Sequence, residues 1–183
     1  MKKVFFLSVF IAIAFIAKSQ SINYKAFKVD IGIGYAIPTA GSGGTKAGAT
    51  FTIEPHYRFS DQISAGLRLE GAALGYQNSD DDIDISVLNS YCATGEYYLM
   101  DGGFRPFVGA GAGLFSLGSV NVNSGTEPVK VEGATKFGFF PRIGFETGHF
   151  RVSSDYNVLS DKAGYLAFKL GFFFGGGKKE ANN

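Results

Sequence analysis

The 183-residue chain has a net charge of +1, only 18% charged residues, 26 glycines, 15% aromatics and no Trp. Near-neutrality excludes the basic footprint of a nucleic-acid binder, and the single Cys92 excludes an intramolecular disulfide framework. A chain this poor in charge and rich in glycine needs surroundings other than water over part of its surface.

Met1 to Ser19 has the layout of a secretory signal: Lys2 and Lys3, an apolar run from Val4 to Ala17, then Ala17 and Ser19 at the small-residue spacing a signal peptidase reads. We expect cleavage before Gln20. That run is about five residues too short to span a bilayer comfortably as a helix, and no later apolar stretch is long enough.

After it the apolar period is two almost throughout, the mark of strands. From Phe27 to Ile37, Val29, Ile31, Ile33, Tyr35 and Ile37 alternate with Lys28, Asp30, Gly32, Gly34 and Ala36. A second strand sets Phe51, Ile53, Pro55, Tyr57 and Phe59 against Thr50, Thr52, Glu54, His56 and Arg58, and Ser60 to Gln62 turn the chain. The third, with Ile63, Ala65, Leu67 and Leu69 against Arg68 and Glu70, is expected to fade into a polar loop around Gln77 to Asp84. The fourth opposes Tyr91, Ala93, Tyr97 and Leu99 to Cys92, Thr94, Glu96 and Tyr98, and Asp101 to Gly103 turn again.

The fifth, Phe104 to Leu117, sets Val108 and Leu114 against Arg105, Phe107, Gly109, Gly111, Gly113 and Phe115. A polar stretch from Gly118 to Gly133 precedes the sixth, where Phe137, Phe139, Pro141, Ile143 and Phe145 oppose Gly138, Phe140, Arg142, Gly144 and Glu146. The seventh pairs Phe150, Val152 and Tyr156 with Arg151, Ser153 and Asp155. The eighth pairs Leu166, Phe168, Leu170, Phe172 and Phe174 with Ala167, Lys169, Gly171 and Phe173, and a polar tail runs from Gly175 to Asn183. Eight strands with tight turns at alternate connections describe an all-β, antiparallel up-and-down transmembrane barrel over residues 20–174. Both termini and the tail then lie on the periplasmic side.

Alternation alone does not say which face is inside. The polar face is full of glycine rather than of Lys, Glu and Thr, which suits a narrow lumen that holds only side chains. The bulky face suits lipid. Charges on the inner face must pair, so Glu54, His56, Arg58, Arg68, Glu70, Glu96, Arg142 and Glu146 are expected to form an interior ion-pair network. Lys28, Asp30, Arg105, Lys136, Arg151, Asp155 and Lys169 are assigned to the same face.

The segments FKVDIGIGYAIP, SYCATGEYYL, FRPFVGAGAGLFSL and YLAFKLGFFFGGGKK resemble the small outer-membrane β-barrel proteins of Gram-negative bacteria. The resemblance spans nearly the whole mature chain. It implies residence in the outer membrane, contact with its lipid and lipopolysaccharide, and insertion by the barrel assembly machinery. That machinery reads a last strand ending in an aromatic, a pattern that Leu170, Phe172 and Phe174 match. It carries over no catalytic residue, cofactor or metal, and we expect a monomer.

Other chemistry finds weak support. Some small barrels modify lipid A with a His, but His56 and His149 both fall toward the periplasmic end. Asp80, Asp82 and Asp84 begin like a calcium loop, yet Ile85 and Tyr91 stand where the sixth and twelfth positions need Gly and a carboxylate. The glycines from Gly109 to Gly113 have no following helix to receive a phosphate. Two roles remain: a non-enzymatic envelope protein displaying outer loops from a plugged barrel, or a narrow conduit for small hydrophobic compounds with a lateral exit marked by Pro55, Pro106 and Pro141.

Overall fold

The computed structural model describes residues 23–39, 45–77, 83–117, 134–160 and 164–179. Eight strands follow in chain order: β1 (Phe27–Pro38), β2 (Thr45–Arg58), β3 (Ile63–Gln77), β4 (Ile83–Tyr98), β5 (Phe104–Leu117), β6 (Thr135–Thr147), β7 (Phe150–Leu159) and β8 (Gly164–Gly175). Each pairs antiparallel with its successor, and β1 pairs with β8 from Lys28↔Gly175 to Pro38↔Tyr165, so the sheet closes. Closure removes the unpaired edges that hydrocarbon cannot tolerate. The expected eight-stranded up-and-down barrel is the observed fold.

Period-two patterning becomes two-faced burial. On β7, Arg151, Ser153, Asp155 and Asn157 are buried while Phe150 and Tyr156 are about half exposed. On β6, Phe137, Phe139 and Ile143 point out at 53 to 63% exposure, and Arg142 and Glu146 point in. Every strand presents large apolar side chains outward in this way, from Ile33 on β1 to Phe174 on β8. Aromatics gather at the end with the short turns, where Tyr57 meets Phe59, Phe104 meets Phe145 and Phe150 meets Phe172 with centroids 4.3 to 5.2 Å apart. Such a girdle marks the interface level of a membrane barrel.

The short turns have local causes. Ser60 Oγ accepts from the amides of Gln62 and Ile63 at 3.3 and 3.0 Å, which fixes the β2–β3 turn. Between β6 and β7 only Gly148 and His149 remain, and Gly148 has φ 59°, a left-handed conformation that glycine adopts without a Cβ clash.

Three features depart from the expectation. β3 continues to Gln77 and β4 starts at Ile83, so both ends of the loop expected around Gln77 to Asp84 are strand. The cause is a change of character without a change of period: beyond Glu70 the inward residues are Ala72 and Leu74, while Gly71, Ala73 and Gly75 face outward. Second, the ladder is interrupted at prolines inside strands. Pro141 is the seventh residue of the 13-residue β6, and the β6–β7 pairing skips from Phe139↔Val158 to Arg142↔Asp155 there. A similar gap follows Ile53↔Leu69 at Pro55, as expected where a proline supplies no N–H. Third, the lumen is not filled by glycine and charge alone. Ala36, Ala72, Leu74, Leu88, Cys92, Phe115, Phe140, Leu159, Tyr165 and Ala167 form an apolar cluster inside the barrel, toward the end opposite the short turns. The signal segment, the stretch Gly118 to Gly133, and Asp80 and Asp82 lie outside the described residues.

Candidate functional site

The charged interior lies between that apolar cluster and the mouth at the short turns. Seven strands contribute to it because each keeps its polar residues on the same parity. Arg142 of β6 is the hub. Its Nη1 donates to Glu54 of β2 at 2.8 and 2.9 Å and to Glu96 of β4 at 3.0 Å. Its Nε and Nη2 donate to Asp155 of β7 at 2.7 and 2.9 Å. One guanidinium thus ties three other strands across the lumen.

On one side, Arg68 of β3 donates to Asp155, to Asn157 Oδ1 (both 2.9 Å) and to Ser90 Oγ (3.2 Å). Its guanidinium carbon lies 3.7 Å from the Phe140 ring centroid, a cation over an aromatic face. Glu70 accepts from Lys169 Nζ at 2.6 Å, Tyr165 OH at 2.5 Å and Thr52 Oγ1 at 3.0 Å. On the other side, Glu146 accepts from Lys28, from Tyr98 OH at 2.8 Å and from Arg151 at 2.6 Å, and Arg151 also grips Glu96. Lys28 lies 3.2 Å from Asp30.

Of the eight residues expected in this network, Glu54, Glu96 and Arg142 meet directly, Arg68 and Glu70 join through Asp155 and Lys169, and Glu146 joins through Arg151. His56 Nε2 is 2.8 Å from Asp30 Oδ2, out of line for a hydrogen bond, and 3.4 Å from Glu54. Arg58 sits at the edge, donating to the Gly176 carbonyl at 2.8 Å and lying 3.9 Å from Glu146. The geometry adds Lys28, Asp30, Arg151, Asp155 and Lys169, which sequence parity had already placed inside, and the hydroxyls of Tyr98 and Tyr165, which it had not singled out. Six cations (Lys28, Arg58, Arg68, Arg142, Arg151, Lys169) thereby face six carboxylates (Asp30, Glu54, Glu70, Glu96, Glu146, Asp155). Buried charge on this scale is tolerable only because it balances and is hydrogen-bonded.

Glu54, His56 and Glu96 bring one potential ligand atom each within 4.8 Å of one another. Both carboxylates already accept from Arg142, so an entering cation would have to displace a guanidinium. The trio reads as part of the ion-pair lattice.

Aromatic plugs complete the filling, and glycines make room for them. A Cβ on Gly111 would lie 2.3 Å from Phe140 Cζ, and one on Gly144 2.5 Å from Phe107 Cζ. Gly111 and Gly144 are therefore seats for rings, as is Gly138 for Phe115. Leu170, Phe172 and Phe174 point outward on β8, and the chain then turns at Gly175 and Gly176 so that Lys178 bridges to Tyr24.

No family model and no curated protein matches the sequence. Solved structures do. The outer membrane protein OprG from Pseudomonas aeruginosa matches with a TM-score of 0.60 at 13% identity, over 86% of this chain and 100% of that one. Neisserial surface protein A (NspA) matches with a TM-score of 0.57 at 15% identity, over 81% of this chain and 96% of that one. At such identities the likeness is one of fold: the chain has the architecture of the small eight-stranded bacterial outer-membrane β-barrels.

Proposed function

We propose that the protein is a non-enzymatic integral protein of the bacterial outer membrane, with a blocked lumen and outer connections displayed for envelope integrity or surface contact. The observation that carries this reading is the Arg142 hub, which joins β2, β4, β6 and β7 across the interior beneath the Phe115 and Phe140 plugs. Its surroundings would be outer-membrane lipid and lipopolysaccharide against the apolar wall. The barrel assembly machinery would read the Leu170, Phe172 and Phe174 face of β8. An enzymatic role finds no support in the geometry, because His56 is 1% exposed and enclosed by the network, while His149 sits at the short-turn end, its Nδ1 2.9 Å from the Phe173 carbonyl.

The pairing gap at Pro141 favours a second reading, in which small hydrophobic compounds leave sideways through the wall. Planar-bilayer conductance and solute-uptake measurements on the purified protein separate the two. The blocked barrel gives no reproducible flux; a flux that Pro141→Ala abolishes would establish the conduit instead.

A further inference from the structure

At the short-turn mouth the interior opens into a cavity of about 290 Å³ whose walls include Tyr24, Arg105, Glu146, His149, Phe173 and Lys178. Arg105 stands apart from the balanced network as a seventh buried cation, 4% exposed, with no ion pair to a carboxylate among the described residues. Its Nη2 donates to the Asp61 carbonyl oxygen at 2.6 Å, its Nε has no partner, and the Asp61 carboxylate is taken up by Asn23. The guanidinium carbon lies 4.0 Å from the Tyr24 ring centroid and 4.1 Å from that of Tyr98. Stacking uses the faces of a guanidinium and leaves its in-plane N–H groups free to donate. Arg58 shares the same two rings at 4.8 and 5.2 Å, is 2% exposed, and keeps Nε and Nη2 without a hydrogen-bond partner.

From this arrangement we infer that the mouth is a binding site for a small organic monocarboxylate. Arg105, which lines the cavity with a spare donor, and Lys178 at its rim supply the counter-charge, and a guanidinium fork matches a carboxylate in a bidentate pair. The rings of Tyr24, Phe173 and His149, the last two with centroids 5.4 Å apart, wall the cavity with apolar surface. They suit the hydrocarbon part of a carboxylate better than a fully hydrated phosphate. Glu146 also lines the cavity, and its Oε2 accepts no hydrogen bond. A second negative charge on the ligand would meet it, hence a monoanion. This site is independent of whatever role the outer connections serve.

The test uses the full-length protein in detergent micelles at low ionic strength, titrated with phenylacetate, phenylacetamide and inorganic phosphate while amide NMR shifts are followed. Phenylacetate saturates with its largest shifts at Gly102, Gly103 and Gly177, and the amide and phosphate bind about tenfold or more weakly. Arg105→Gln weakens phenylacetate about tenfold or more, whereas Lys136→Gln at the opposite end leaves it unchanged. Should Arg105→Gln not fold, Lys178→Gln, exposed and outside the strands, still lowers phenylacetate affinity by about a few-fold. No saturation, equal affinity for phosphate or the amide, shifts centred elsewhere, or wild-type affinity in folded Arg105→Gln or in Lys178→Gln would each overturn the assignment.

Discussion

Arg142 shows what a single buried charge does in a closed barrel. Its three nitrogens are all committed, and its removal strips Glu54 of its guanidinium partner and takes one cation each from Glu96 and Asp155, which keep Arg151 and the Arg68–Lys169 pair respectively. Arg142→Ala is therefore expected to destabilise the barrel by about 3–5 kcal/mol, read from urea unfolding in lipid vesicles. A loss under about 1 kcal/mol would mean that water or neighbouring cations already neutralise these carboxylates. Gly111 makes the complementary point about volume. A methyl group there collides with Phe140 and with the Ala93 carbonyl oxygen, 2.9 Å away, so Gly111→Ala should lose about 1–3 kcal/mol. Adding Phe140→Leu should recover part of that loss, because the two sites share one space; strict additivity in the same unfolding measurement would refute the seat-and-ring pairing.

Within single elements, β6 carries both faces at their most distinct. Phe139 points to the outside at 53% exposure while its neighbours Phe140 and Arg142 are buried. Placing a charge on the outer side, as in Phe139→Arg, is expected to cost about 2–4 kcal/mol at mid-depth and to abolish the heat-modifiable gel mobility of a folded barrel. Thr126→Arg, between β5 and β6, is expected to retain it. Equal tolerance of both substitutions would contradict a hydrocarbon-facing wall. β3 explains why alternation can be misjudged near a strand end. Its outer half keeps the period but exchanges bulky-out for small-out, so a reader who follows residue character stops at Glu70 and one who follows parity continues to Gln77.

For the molecule as a whole, the interior consists of cooperating layers: the stacked arginines at the mouth, the ion-pair lattice, and the apolar cluster of Phe115, Phe140 and their neighbours. An eight-stranded barrel has room for little else. Because the layers close the lumen together, thinning the lattice while keeping its net charge balanced should matter more to passage than to folding. Arg142→Ser with Asp155→Ser removes one charge of each sign and is expected to raise ion conductance in planar bilayers above the wild-type background. Unchanged conductance in the folded double variant would assign the block to the aromatic layer.

The strand number, the sheet parity, the lipid-facing side and the inward placement of nearly every charge followed from the sequence alone, because period-two alternation is a local property that each strand declares for itself. Tertiary structure decided what depends on neighbours around the barrel. Parity says that Arg142 and Asp155 face inward, but only the β6–β7 register sets them opposite each other. It places Arg105 in the lumen, but only closure of the sheet and the return of Tyr24 beside Lys178 leave it stacked, buried and without a carboxylate partner among the described residues. Partners of an inward side chain are set by strand stagger and by the curvature of the closed sheet, long-range geometry that no local pattern encodes.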